Sequence, residues 1–146
     1  MRSLHDAAYR ETIRARLKSL RADSHRKWGK MSSDQMLWHV AAGLELALGR
    51  RTSKPMKPPL PRPLLRFLVI NVPWPKGAPT SPEIVATRQY DFVAERKRCM
   101  ELIDERSTKD LRGPWPEHFM LGQITGAQAS QLQAKHVDHH LRQFGA

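Results

Sequence analysis

Three of the seven histidines in this 146-residue chain fall in its final stretch, AKHVDHHLRQFGA, residues 134–146. His136 and His140 are four apart, the spacing that lets two imidazoles converge on one ion from a single helix. At about 100° per residue they project roughly 40° apart. Both fall within an apolar arc set by Ala129, Leu132, Val137, Leu141 and Phe144. His139 lies at the edge of that arc, beside Leu132. Lys135, Asp138 and Arg142 fall on the opposite side, so Asp138 is assigned no catalytic part. His39 joins the pair from another helix, whose inner face is marked by Met36, Val40, Leu44 and Ala47. Gly43, one turn beyond His39, leaves space where a larger side chain would crowd an imidazole. Burying three imidazoles in an apolar interior is costly unless each finds a partner, and one metal ion satisfies all three. His39, His136 and His140 are therefore the candidate metal ligands, provided their two helices pack together. His139 is read as a hydrogen-bonding support, or as a substitute ligand if the helix is rotated. His5 and His25, among charged residues, read as solvated, and His118 reads as a local packing or hydrogen-bonding residue.

The chain reads as all-α. β-branched alternation is nearly absent and no repeat appears. A first helix is expected over 3–21, with Leu4, Ala7, Ala8, Ile13, Leu17 and Leu20 at helical spacing. Ser32 and Gln35 form a capping box that opens a second helix, which ends near Leu48 where Gly49 supplies the stop. A proline-rich connection follows, with a short apolar piece, LLRFLVI. The third helix is expected from Pro82, capped by Thr80 or Ser81, to about Arg106, with Phe92, Cys99, Leu102 and Ile103 inward. Residues 106–123 read as loop. Thr125 and Gln128 then open a last helix that ends at Gly145. Four long helices with one long crossover make a four-helix bundle, a single domain over 1–146.

Length and composition fit one domain with a real core: 40% of residues are hydrophobic and 27% charged. No apolar run approaches the ~18 residues of a membrane span. The N-terminal residues lack the apolar core of a secretory signal. Cys99, the one cysteine, cannot form an internal disulfide and reads as a small core residue, so a cytoplasmic setting and no membrane partner are expected. The net charge of +11 makes polyanions a live partner class. Residues 50–66 hold six Lys/Arg, no acid and five prolines, an irregular basic connection rather than a DNA-reading helix. With no nucleic-acid-binding signature, only weak, salt-sensitive association with nucleic acid is expected, not specific recognition.

Three stretches, WGKMSSDQMLWH, VPWPKGAPTSPE and KHVDHHLRQFG, resemble signature stretches of an uncharacterised bacterial branch of the DinB-like superfamily, in the order that branch has them. They span Trp28 to Gly145. HFMLG departs from the branch, which has a proline after the histidine and a phenylalanine before the glycine. The resemblance implies a DinB-like four-helix bundle in which a histidine of the second helix and an H-x-x-x-H pair of the last bind a divalent metal. In this chain those positions are His39, His136 and His140. Characterised relatives in the wider superfamily include thiol-dependent transferases and a thiol-dependent isomerase.

Two function classes follow. One is a metal-dependent enzyme acting on a small, anionic substrate, with zinc or nickel bound and a low-molecular-weight thiol as cosubstrate. The basic 50–66 stretch would then feed the mouth of the site. The other is a non-enzymatic helical module with a structural metal and a polyanion-binding surface. A homodimer through the first helix and LLRFLVI is expected in either case.

Overall fold

A computed structural model describes residues 2–146. Among them are five α-helices: α1 (Ala7–Ser19), α2 (Ser33–Ala47), α3 (Arg62–Asn71), α4 (Phe92–Ser107) and α5 (Gly126–Gln143). The described residues contain no strand, only one isolated bridge between His118 and Gly122. The all-α bundle expected from the sequence is therefore what forms. α1, α2, α4 and α5 make the bundle, with α2 against both α4 and α5, and α3 lies on α5 outside it.

The core follows the apolar periodicity. Leu4, Ile13, Leu17, Met36, Leu37, Leu44, Ile103, Val137 and Leu141 are all fully buried. α2 and α4 make the most extensive helix pair, and the Cys99 thiol donates there to the Leu37 carbonyl at 3.0 Å. Burial pushes that thiol far above its ordinary pKa, so Cys99 is a packing residue.

The capping signals hold. The Gln35 side chain accepts the Ser32 N–H at 3.0 Å, and Thr125 and Gln128 exchange reciprocal bonds of 3.1 and 3.0 Å. Gly49 and Gly145 have φ of +74° and +73° just past the ends of α2 and α5, the left-handed conformation that closes a helix at little cost to glycine.

The largest departure concerns the helix expected from Pro82. Only a single 3-10 turn forms there, Pro82–Ile84, and α4 begins ten residues later at Phe92. Asp91 is the true cap, accepting the Ala94 N–H at 2.7 Å. The intervening backbone is held out of a helix by α2. Gln35 donates to the Arg88 carbonyl, Asp34 accepts the Tyr90 N–H at 2.7 Å, and His39 bonds the Ile84 carbonyl. Partners from another element thus replace the bonds a helix would have made.

Three smaller corrections follow. α1 is shorter than 3–21 because Asp6 caps it, accepting the Tyr9 N–H at 2.9 Å. LLRFLVI is not a mere apolar piece: it belongs to a fifth helix, α3, with Pro63 in its first turn. Leu65 of α3 is buried against α5, and Lys135 bonds the α3 carbonyls of Val69 (2.6 Å) and Ile70, so Lys135 is covered rather than free in solvent. His5 is not simply solvated either. Its Nε2–H donates to the Lys109 carbonyl at 2.8 Å, which leaves Nδ1 to accept from the Ser130 hydroxyl at 2.7 Å. His25 is exposed, as expected.

Ile13 and Leu17 of α1 are taken up by the core, whereas Ala7 and Ala8 are exposed. Leu60, Leu64, Phe67 and Val72, on α3 and its flanks, are exposed large apolar residues, as is Val85 further along the crossover.

Candidate metal centre

α2 and α5 bring His39, His136 and His140 to one point. One ring nitrogen from each lies within 4.8 Å of the others, and the ring centroids are 4.7 to 4.9 Å apart. The Nε2 atoms of His39 and His136 are 3.0 Å apart. Two ligands about 2.1 Å from a common ion stand about 3.0 Å apart at a right angle and about 3.4 Å apart at the tetrahedral angle. The pair thus fits a shared ion with little adjustment.

Each ring is set by its surroundings. His39 Nδ1–H donates to the Ile84 carbonyl at 2.7 Å, which fixes the tautomer and presents Nε2 to the centre. His140 Nδ1–H donates to Gln143 Oε1 at 2.9 Å, and Gln143 in turn donates from Nε2 to the Trp28 carbonyl at 2.9 Å. Gly29 makes room for that amide. Its φ is +83°, and a Cβ there would lie 2.3 Å from Gln143 Nε2. His136 packs on Gly43, where a Cβ would meet its Cε1 at 2.8 Å and Nδ1 at 3.1 Å. The space read from the sequence at Gly43 is thus occupied by the imidazole of the facing helix.

All three rings are kept neutral. Burial pushes His140 down to about 3, helped by the neighbouring His39. Burial, then the other imidazoles, holds His136 well below its ordinary value, and burial also lowers His39. Neutral imidazole is the form that binds a metal. The donor set, the tautomers and the Gly43 cradle all fit a divalent ion.

Neither His139 nor His118 belongs to the group. His139 is half-buried, edge-on to Trp28 with centroids 5.8 Å apart and tilted against Trp74 at 5.7 Å. His118 Nδ1 accepts the N–H groups of Met120 and Leu121, both at 3.1 Å, and burial brings the ring to about 4. Its role is the local one read from the sequence. Asp138 faces away, paired with Arg16 at 2.6 Å and Arg142 at 2.9 Å.

The imidazoles line a cavity of about 1020 Å3, and Glu117 is the one carboxylate on its lining among the described residues. Sequence reasoning missed Gln143, although its position three residues after His140 puts it on the same helical face. It also missed the Ile84 carbonyl, for which a sequence holds no signal.

The family described as "Protein of unknown function (DUF1569)" matches residues 1–146. The chain belongs to the DUF1569 family. No curated protein and no solved structure matches it. For this DUF1569 chain the geometry around His140 gives a direct expectation. Gln143→Ala removes both the anchor of that ring and its tie to Trp28. Loss of such a supporting bond typically weakens a metal about 10- to 100-fold. Competition against a chromophoric chelator is expected to show that loss, and unchanged affinity would remove Gln143 from the centre.

Proposed function

We propose that this chain is a divalent-metal-dependent enzyme acting on a small molecule, with His39, His136 and His140 as the ligands of zinc or nickel. The observation that carries the reading is the convergence of three buried imidazoles, two of them fixed in their tautomer, on the wall of a large cavity. The same triad supports placing the family as a branch of the DinB-like superfamily, a fold-level likeness that specifies no reaction. A divalent ion held by three neutral imidazoles keeps its full charge and lowers the pKa of a coordinated water or thiol. The chain's own residues do the rest. Ile84 and Gln143 hold two rings in the tautomer that leaves Nε2 free, and Gly43 lets the third ring reach the point of convergence. With Glu117 the lone carboxylate on the lining among the described residues, activation of a nucleophile fits better than paired carboxylate acid–base catalysis. A low-molecular-weight thiol is the proposed cosubstrate, because a thiolate is the softer donor for an open position.

Cobalt substitution tests this. Addition of a small thiol to the cobalt-loaded chain is expected to produce a thiolate charge-transfer band that His39→Ala, His136→Ala and His140→Ala lack. Absence of the band with every thiol tried would remove the thiol from the mechanism.

One observation favours the second reading, a module with a structural metal and a polyanion-binding surface. Residues 46–82 contain seven Lys/Arg and no acid. The fold, however, spends two of these cations in ion pairs, Arg50 with Glu105 and Arg51 with Glu45. DNA binding that survives physiological salt and metal removal would establish this reading over the enzymatic one.

A further inference from the structure

The bundle contains two separate apolar clusters, and they do different things. The main one, built from α1, α2, α4 and α5, fills the core, and none of its fully packed members lines the cavity. The second gathers Leu65, Leu121, Ile124 and Leu132 with Val69 and Trp74, and every one of its members lines the cavity. These side chains line one part of a void of about 1020 Å3 that the three imidazoles also line. The wall is held in place: Lys135 ties the C-terminal turn of α3, and Arg66 donates to the Leu121 carbonyl at 2.9 Å.

The lining's charges are few. Lys30, Arg51 and Glu117 are the only Lys, Arg, Asp or Glu on it among the described residues. Arg51 is already engaged, paired with Glu45 at 2.9 Å and lying over the Trp38 ring at 5.3 Å. It is also the only cation of the 50–66 stretch to reach the cavity, so that stretch does not build a phosphate or polyanion cradle there. A sugar or nucleotide would shed water against this apolar cluster, which is costly; the polar side chains of the lining, such as Gln35, Thr52, Ser53, Thr80 and Gln133, are not part of it. A hydrocarbon body would gain from the same wall.

We propose that this cavity binds a substrate with a predominantly apolar body, aliphatic or aromatic, whose reacting end is presented to the three histidines. The inference rests on the metal-centre reading for that reacting end, and on the apolar wall for the body. It replaces the anionic substrate expected from composition with one whose body is hydrophobic.

Displacement of the neutral dye N-phenyl-1-naphthylamine by straight-chain alcohols, from propanol to octanol, tests it without requiring metal. One dye per chain is expected, and each added methylene is expected to tighten the competing alcohol by about fourfold. Val69→Asp, on the cavity face of α3, is expected to weaken dye and octanol at least tenfold, while Val69→Leu retains binding. Leu64→Asp, on the exposed face of the same helix, is expected to change neither. Affinity independent of chain length overturns the proposal, as does loss of binding in Leu64→Asp but not in Val69→Asp. Should Val69→Asp fail to fold, the length series on the native chain decides alone. The expected alcohol increments in a chain that shows no thiol band would keep the apolar site and remove the thiol. A thiol band without dye binding would do the reverse.

Discussion

Gly43→Ala is expected to weaken metal binding by about 10- to 100-fold while leaving the metal-free fold as stable or more stable. The two effects have opposite signs for separate reasons. Alanine in place of glycine inside a helix usually gains roughly 0.5–1 kcal/mol, because the unfolded chain has less freedom to lose. At Gly43, in the interior of α2, the added Cβ would lie 2.8 Å from His136 Cε1, well inside van der Waals contact. The obstructing atom belongs to a side chain, so the ring can swing away and the fold survives. A ring that has swung away no longer points at His39 and His140. Thermal melts of the metal-free variant beside a zinc titration check both halves. Wild-type zinc affinity in Gly43→Ala would show that the glycine has no part in placing His136.

Acidification should destabilise the metal-free protein steeply. Burial holds His140 at about 3 and His118 at about 4, against an ordinary value of 6.5, and His39 and His136 are lowered as well. Between the folded and unfolded values the unfolded chain binds more protons, so stability rises with pH. It is fully present above pH 6.5 and is lost as the pH falls toward the folded values. Each imidazole contributes a slope of about 1.4 kcal/mol per pH unit in that window. His140 and His118 alone should therefore cost on the order of 3 kcal/mol each by pH 4. Set against a typical total of about 5–15 kcal/mol, this places acid unfolding of the metal-free chain between about pH 4 and 5. Urea titrations at half-unit pH steps check it. Stability that stays flat from pH 7 to 5 would mean the imidazoles are not buried as neutral groups.

The parts of the centre that depend on one helix's own periodicity could be read from the sequence. The i, i+4 pair on α5 and the inward face of His39 needed only 3.6-residue geometry, and the capping residues marked where both helices start. Gly43 was legible because a glycine in a helix interior needs a reason. What could not be read depends on contacts between elements. The backbone from Ile84 to Asp91 avoids an α-helix because Asp34, Gln35 and His39 of α2 bind it, and no local pattern announces those partners. α3 was hidden by its prolines: Pro63 is compatible with a first turn, but five prolines in 50–66 read as irregular chain. His5 looked solvated because its neighbours in sequence are charged, whereas its partners Lys109 and Ser130 lie more than a hundred residues away. The charge of the 50–66 stretch misled in the same way, since only Arg51 of its cations faces the cavity.

The central claim is that His39, His136 and His140 together hold one divalent ion. Equilibrium dialysis against zinc, with metal content measured per chain, tests it most directly. The expected result is one ion per chain in the native protein and in His5→Ala and His25→Ala, with severe loss of zinc in His39→Ala, His136→Ala and His140→Ala. Full occupancy in all three of those last variants would contradict it.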